Sequence, residues 1–203
     1  MMNSDSIPLA EVNPDAPADS LEAKQPHIDH GAQRYDKHGY FSPEYMQREW
    51  DKLWTQSWLI AGVTSDLVEE GDYFLFDIGD ESIIVTLTDE GVRAFYNVCS
   101  HRGSRLVFEE RGNRKVFVCP FHSWSFHNNG ELRHITDEET FQPEVIAHKP
   151  GLTPLACEVH AGLVFISMHE DPPPLQDAIG LPEGYLESYC IDQMKVVRQV
   201  RSE

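Results

Sequence analysis

Short β-type runs rich in apolar residues, broken by turn residues, dominate the chain from Trp58 to Ser167. The runs are WLIAGV, YFLFDI, SIIVTLT, VRAFYNV, KVFV, WSFH, LACEVH and LVFIS. Turn-forming residues interrupt them, for example Gly79-Asp80, Asn128-Asn129-Gly130 and Ala161-Gly162. Many short strands at this spacing are typical of an antiparallel sandwich or barrel. We therefore predict a mainly β fold.

Apolar residues with helical spacing precede the predicted strands. Ser42 suits the N-cap, Pro43 the first helical position and Glu44 the positive end of the helix dipole. The apolar residues that follow are spaced to share one face, and they are Met46, Trp50, Leu53 and Trp54. We expect a helix within residues 40–57 that packs these side chains onto the following sheet.

The two ends of the chain show neither the strand pattern nor the helical pattern of apolar residues. Residues 1–39 are rich in Pro, Asp, Ala and Ser and predict a flexible tail, in which His27 and His30 are more consistent with ordinary polar residues than with metal ligands. Near the other end, Pro172-Pro173-Pro174 predicts an extended segment before a short amphipathic stretch. The sequence MKVVRQVRSE that closes the chain predicts the start of another strand.

Charge narrows the range of partners. The 203 residues include 16 Lys and Arg against 34 Asp and Glu, a net charge of −18, which argues against nucleic acid or an anionic membrane as a partner. The sequence has no apolar run of membrane-spanning length, and its first residues lack the basic and apolar regions of a signal peptide. We expect a cytoplasmic protein.

Two segments each bring a cysteine and a histidine close together. Cys99 pairs with His101, and Cys119 pairs with His122. Seventeen residues separate His101 from Cys119, enough for a strand, a turn at Arg111-Gly112-Asn113 and a returning strand. Two loops would then face each other and offer four ligands. The remaining cysteines, Cys157 and Cys190, do not make a disulfide framework, and Cys157 fits a buried small hydrophobe.

The distribution of ligand types favours one kind of site. In finger-type zinc sites the cysteines usually form one close pair and the histidines another, whereas each loop here mixes the two. The mixture suits a [2Fe–2S] cluster in which one iron takes both thiolates and the other both imidazoles. A structural Cys2His2 zinc module is the alternative; it would be colourless, whereas the cluster protein would be brown and reducible.

The motifs resemble a known family. C-x-H-R-G, followed seventeen residues after its histidine by C-P-F-H-x-W, resembles the Rieske signature of the α subunits of ring-hydroxylating oxygenases, and the resemblance extends from about Tyr40 to the last residue. Rieske proteins of respiratory complexes have two further cysteines that form a disulfide across the loops. Ser104 and Phe121 occupy those positions here, so the resemblance implies the lower-potential oxygenase type.

The resemblance implies a fold and a domain order. We expect an antiparallel Rieske-type β-sandwich with a two-loop cluster-binding subdomain, preceded by an α-helix. The expected parts are a flexible tail at 1–39, the helix at 40–57, the Rieske domain at 58–170, and a linker with the first strand of a truncated catalytic domain at 171–203. The chain thus resembles an N-terminal fragment of an α subunit.

The resemblance also implies roles for site residues. Cys99, His101, Cys119 and His122 are the expected cluster ligands. Among the supporting residues, Gly103 would permit a tight turn close to the cluster, Pro120 would fix its loop, and Trp124 would pack over the loops. Arg102 is expected to be a structural cation or part of a docking surface. Backbone N–H groups around 102–104 and 123–124 could donate to the sulfurs.

The function implied is electron transfer within an oxygenase. A ferredoxin or reductase would supply the electrons, and a mononuclear Fe(II) in the missing catalytic domain would activate O2 to hydroxylate an organic substrate, which we expect to be aromatic. The full-length protein would be a homotrimer, with or without β subunits, and the fragment alone would be inactive. His122 and His127 have the H-x4-H spacing of the family's iron site, but His122 already belongs to the cluster motif. A free-standing Rieske ferredoxin is the alternative function.

Overall fold

The computed structural model describes residues 37–147, 151–195 and 197. This part of the chain is mainly antiparallel β structure with short helices, as predicted. The strands are β1 Trp58–Val63, β2 Asp72–Ile78, β3 Glu81–Thr88, β4 Gly91–Tyr96, β5 Arg111–Asn113, β6 Val116–Val118, β7 Ser125–His127, β8 Leu132–His134, β9 Pro154–His160 and β10 Leu163–Ser167. The α-helices are α1 Pro43–Glu49, α2 Pro143–Ala147 and α3 Leu175–Ile179.

The strands form a large sheet and a small one. The large sheet has seven strands in the order β1-β10-β9-β4-β3-β2-β5, and the small sheet has three in the order β6-β7-β8. Tight hairpins connect many neighbours; Gly79, with φ of +57°, lies in the two-residue turn between β2 and β3. The small sheet carries the second Cys–His loop between β6 and β7.

Both faces of the large sheet are covered. On one face Ile83 and Val85 of β3 pack with residues of β10, and on the other face Ile84 packs with Phe117 and Trp124 of the small-sheet region. Because successive strand residues point to opposite faces, a strand that is covered on both sides must be apolar throughout. This explains the continuous apolar character of the SIIV run at the start of β3.

The helix begins as predicted, but its apolar stripe is not buried as predicted. The backbone N–H of Tyr45 donates to the Ser42 hydroxyl at 3.1 Å, which confirms the N-cap. Met46 and Leu53 are 50% and 46% exposed, whereas Trp50 and Trp54 are half-buried, so the expectation that all four share a buried face is wrong for Met46 and Leu53. The α-helix ends at Glu49, and Trp50–Trp54 continues as a π-helix. Wider π winding breaks the 3.6-residue period on which the prediction rested.

The segment 111–113 is a strand rather than the predicted turn. Tyr73 of β2 pairs with Gly112, and the segment covers the edge of the large sheet. A side chain at Gly112 would place its Cβ 2.8 Å from the Tyr73 hydroxyl oxygen, so this glycine serves close packing. The ion pair between Arg111 and Asp66, at 2.6 Å, fixes the same edge. The sequence reading also missed β8.

The structure tests few of the predictions made for the two ends of the chain. The predicted tail at 1–39 lies outside the described residues except for 37–39, and most of the predicted strand at 194–203 also lies outside them. The short helix α3 follows Pro174 as expected. The chain divides into two compact units between Met46 and Gln47, and the second unit contains both sheets. None of the helices in the described ranges has the length and apolar character that a membrane span requires.

Candidate metal centre

The two Cys–His loops are structural copies of each other. Residues 99–104 form one loop, closed by a bridge between Val98 and Arg105, and residues 119–124 form the other, closed by the pairing of Val118 with Ser125. In each loop the N–H of the first residue donates to the carbonyl of the sixth, at 2.8 and 2.7 Å, and the N–H of the fifth donates to the carbonyl of the first, at 2.9 Å in both. The two loops therefore have the same backbone hydrogen bonds, and each presents one cysteine.

The fifth position of each loop has a left-handed backbone. Gly103 has φ of +71° and Ser123 has φ of +60°. Glycine adopts this conformation without strain, and serine does so at a cost. The turn role predicted for Gly103 is therefore confirmed, while its predicted close approach to a cluster stays a prediction. Sequence reading gave no signal that Ser123 is the counterpart of Gly103.

The thiols of the two loops form a buried pair. Cys99 and Cys119 are each 2% exposed, and their thiols are within hydrogen-bonding reach of each other. The Cys99 sulfur accepts hydrogen bonds from the backbone N–H groups of His101 and Arg102, and the Cys119 sulfur accepts them from Phe121 and His122. The N–H groups of Gly103 and Ser123 close their own loops, and donation to the sulfurs from the backbone around 102–104 and 123–124 otherwise stays a prediction.

The two thiols differ in acidity. Burial raises the pKa of Cys99 above its ordinary value. Burial also acts to raise the pKa of Cys119, but hydrogen bonds from the backbone N–H groups of His122 and Phe121, followed by those from the Cys99 and Ser104 side chains, outweigh it, so the pKa of Cys119 is lowered. A thiolate is the form that binds iron.

The imidazoles form a second pair, and their geometry fits metal ligands. The ring centroids of His101 and His122 are 4.8 Å apart. The Nδ1 atoms of both rings are buried and have no hydrogen-bond partner in the described structure. A buried nitrogen without a partner is costly, and a bound metal removes that cost. Burial, aided by the nearby charges of His122 and Arg102, lowers the pKa of His101 and favours the neutral, metal-binding imidazole.

Aromatic rings hold His101 in place. The Trp124 ring, which is 2% exposed, stacks on the His101 ring with centroids 4.6 Å apart and planes 7° from parallel. Phe141 meets the same two rings edge-on, at 5.8 Å from His101 and 5.5 Å from Trp124. The predicted packing of Trp124 over the loops is therefore in place. Sequence reading missed Phe141, because nothing local marks this residue, which lies seventeen residues beyond the end of the second loop.

Asn97 anchors the first loop, and sequence reading missed it as well. Its side chain is 1% exposed. The side-chain oxygen accepts from the N–H groups of Leu106, at 3.1 Å, and Val107, at 2.9 Å, and the side-chain nitrogen donates to the Val107 carbonyl at 2.7 Å and to the Ser82 hydroxyl at 3.2 Å. The available signal was a single polar residue between Tyr96 and Val98 at the end of an apolar strand.

The other supporting residues lie at the surface. Arg102 and Pro120 are exposed, and so is Phe121, whose ring lies 3.9 Å from that of His122 and shields one side of it. Among the other histidines, His127 is the exposed last residue of β7 and does not form part of this group. The structure therefore brings the four predicted ligands together as two pairs, Cys99 with Cys119 and His101 with His122.

Comparison with known proteins identifies this arrangement. Residues 57–150 match the model of the Rieske [2Fe-2S] domain family. The chain carries a Rieske [2Fe–2S] domain. Both Cys–His loops lie within this matched segment; the first adjoins the large sheet at Asn97, and the second connects β6 and β7 of the small sheet.

Similar curated proteins are oxygenase components. The Rieske chain is 33% identical over 193 residues to the glycine betaine monooxygenase oxygenase subunit of Chromohalobacter salexigens, covering 95% of this chain and 42% of that protein. It is 36% identical over 159 residues to the large oxygenase component of the naphthalene 1,2-dioxygenase system of Pseudomonas putida, covering 77% of this chain and 35% of that protein. The chain thus spans about two-fifths of the length of these relatives.

Solved structures give the same picture. The naphthalene 1,2-dioxygenase F352V mutant bound to phenanthrene superposes with a TM-score of 0.63 at 36% identity, over 68% of this chain and 31% of that one. The apo form of the quaternary ammonium Rieske monooxygenase CntA superposes with a TM-score of 0.72 at 27% identity, over 81% of this chain and 49% of that one. The mainly β fold and the oxygenase kinship expected from the motifs are confirmed.

Proposed function

We propose that Cys99, His101, Cys119 and His122 hold the [2Fe–2S] cluster of this Rieske domain. The thiol pair would bind one iron, and the imidazole pair would bind the other through the Nδ1 atoms. The two buried Nδ1 atoms without partners are the observation that carries this assignment. When bound, the cluster supplies one-electron transfer. The chain's part is to present two buried sulfurs and two imidazole nitrogens to the cluster.

We further propose that the chain passes electrons to a mononuclear iron of an oxygenase catalytic domain. The similarity to oxygenase components supports this role. One solved structure of a similar protein, the quaternary ammonium monooxygenase, is described as giving insight into inter-subunit electron transfer. The proposed organisation follows from the motifs: a Rieske domain at 58–170 joined through the passage from 171 onward to a catalytic domain.

The partners and substrate follow from the same kinship. The proposed electron donor is a ferredoxin or reductase, the proposed assembly is a homotrimer, and the proposed compartment is the cytoplasm. The similar proteins are named for glycine betaine and for naphthalene, so the substrate class proposed here is broad, an organic molecule that is either aromatic or a quaternary ammonium compound. The catalytic domain would determine which substrate is bound.

The ligand assignment is tested by metal analysis of the purified 203-residue chain. We expect two irons and two acid-labile sulfides per chain, with a brown colour that bleaches on reduction. Cys99→Ser and Cys119→Ser should each abolish the cluster, because loss of a thiolate removes both a bond and a charge. Cys190→Ser is the matched control, since Cys190 is exposed, and it should retain full iron. Two irons per chain in either loop variant, or one zinc in the wild type, would refute the assignment.

The oxygenase role is tested on the gene product as a whole. Its sequence should contain an H-x4-H motif followed by a carboxylate ligand beyond residue 203, the facial triad of non-haem iron oxygenases. Reduced ferredoxin should reduce the cluster, and oxygen uptake should depend on added substrate in the full-length protein. A gene product that ends without such a motif and only exchanges electrons would favour the free-standing ferredoxin.

A further inference from the structure

Phe141 contacts both His101 and the tryptophan that stacks on His101. The Phe141 ring centroid lies 5.8 Å from that of His101, with the planes at 74°, and 5.5 Å from that of Trp124, with the planes at 67°. Both contacts have the edge-to-face geometry that aromatic rings prefer, and such pairs contribute more than the apolar area that they bury. The three rings therefore form a closed triangle, in which His101 is the member that can bind a metal.

The chain segment around Phe141 fixes the position of its ring. Asp137 has a left-handed backbone, with φ of +54°, and a single turn of 3-10 helix, Glu138–Thr140, follows it. The N–H of Phe141 donates to the carbonyl of the first residue of that turn at 3.1 Å. Ile135, before the turn, is buried in the apolar core, and Phe141 and Ile146 pack against the same core. The segment 135–146 is therefore anchored on both sides of Phe141.

His101 needs such support because no hydrogen bond holds its Nδ1 atom. That atom is buried and has no hydrogen-bond partner within the described residues. A histidine side chain rotates about two single bonds, so hydrogen bonds or packing must set its direction. Trp124 covers the His101 ring by stacking, and Phe141 meets the ring from another direction. Together the two rings resist rotation of the imidazole.

We propose that Phe141 is a positioning residue that keeps the His101 imidazole in the orientation in which Nδ1 binds iron. Because Phe141 lies on the segment 135–146, that segment belongs to the cluster site even though it carries none of the proposed ligands. Without the Phe141 ring, the imidazole would rotate over a wider range, and the iron that it binds would be lost more readily. This inference rests on the proposed ligand role of His101.

Three variants of the cluster-loaded 203-residue chain test this role. Phe141→Ala removes the ring, and Phe141→Tyr keeps it. Ile146→Ala is the matched control, because Ile146 is a half-buried residue of the same segment that packs against the same core. The first readout is the rate of iron release to a chelator. The second is the set of g values of the reduced cluster in electron paramagnetic resonance, which depends on how the ligands are oriented around the iron.

The expected results follow from the loss of one aromatic contact. Phe141→Ala should release iron about 2- to 10-fold faster than the wild type, the range that corresponds to one aromatic pair, and its g values should shift and broaden. Phe141→Tyr should keep the wild-type values of both readouts. Ile146→Ala should keep the wild-type g values, because that substitution removes packing without removing a ring from His101.

The outcomes separate the inference from the ligand assignment. Wild-type g values in Phe141→Ala would overturn the positioning role, whatever the rate of iron release. Equal changes of the g values in Phe141→Ala and Ile146→Ala would also overturn it, since any loss of packing would then have the same effect. If Phe141→Ala retains no iron, Phe141→Tyr decides: a loaded protein with wild-type g values supports the role of the ring, and an empty one overturns it. The ligand assignment fails on a different result, two irons per chain in His101→Ala.

Discussion

Replacing Asn97 with alanine should destabilise the protein more than removal of any surface amide. The substitution leaves the N–H groups of Leu106 and Val107 without their acceptor in a site where Asn97 itself is 1% exposed. A buried donor left unsatisfied costs about 1–3 kcal/mol, so two cost about 2–6 kcal/mol, and water entry into the small cavity would bring the value toward about 3 kcal/mol. That is a large share of the total stability of a typical domain.

Urea unfolding followed by tryptophan fluorescence measures the loss. With a slope of about 2 kcal/mol per M, Asn97→Ala should lower the midpoint by about 1.5 M. Hydrogen exchange offers a local measurement, in which the amides of Leu106 and Val107 should lose protection first. Both measurements are made on the cluster-loaded chain, so wild type and variant are compared in the same state.

Asn128→Ala is the matched control for this prediction. Asn128 is also buried, at 8% exposed, but its side chain donates one hydrogen bond, to the Leu87 carbonyl at 3.2 Å. Its loss should cost about 1 kcal/mol. If Asn97→Ala and Asn128→Ala lower the midpoint equally, the claim that Asn97 satisfies the backbone under the first loop is wrong.

Three further predictions concern other parts of the fold. Ala161→Asn should raise the urea midpoint by the equivalent of about 1 kcal/mol, because Ala161 and Gly162 both have positive φ, +49° and +81°, in a two-residue hairpin that favours Asn-Gly; no gain would contradict this. Cys157, whose pKa burial raises to about 12, should react with iodoacetamide far more slowly at pH 8 than exposed Cys190, and equal rates by peptide mass analysis would refute that. The pKa of Asp72 is lowered from 3.8 by hydrogen bonds from the backbone N–H of Glu69, the Asn113 side chain and the backbone N–H of Val68. Its ionised form therefore stabilises the fold above about pH 4, and the gap in urea midpoint between wild type and Asp72→Asn should shrink as the pH falls below that; a gap independent of pH would count against it.

Local patterns predicted the strands well where local chemistry decides them. The runs WLIAGV and LVFIS match β1 and β10 residue for residue, because a short apolar run and its flanking turn residues are properties of the segment itself. The hairpin at Ala161-Gly162 was predicted for the same reason. The N-cap at Ser42 was also readable, since its partner, the N–H of Tyr45, lies three residues away.

Local patterns failed where a distant partner decides the structure. The segment Arg111–Asn113 has turn chemistry, yet it becomes an edge strand because Tyr73 and its neighbours offer a free row of hydrogen-bonding groups. The stripe of α1 predicted burial, but the change to π winding at Trp50 leaves Leu53 half exposed. Neither the sheet edge nor the winding is visible in the segment's own sequence.

The sequence by itself determined the chemistry of this protein. Cysteine and histidine in one motif, and the spacing between the two motifs, already specify soft and borderline ligands for iron, and these residue types do not depend on the fold. The tertiary structure decided how those ligands are held. It paired the thiols and the imidazoles and put Asn97 beneath the first loop. Those contacts join residues whose distance is set only when the sheets pack, because a side chain's partners in space are not encoded in its immediate neighbours.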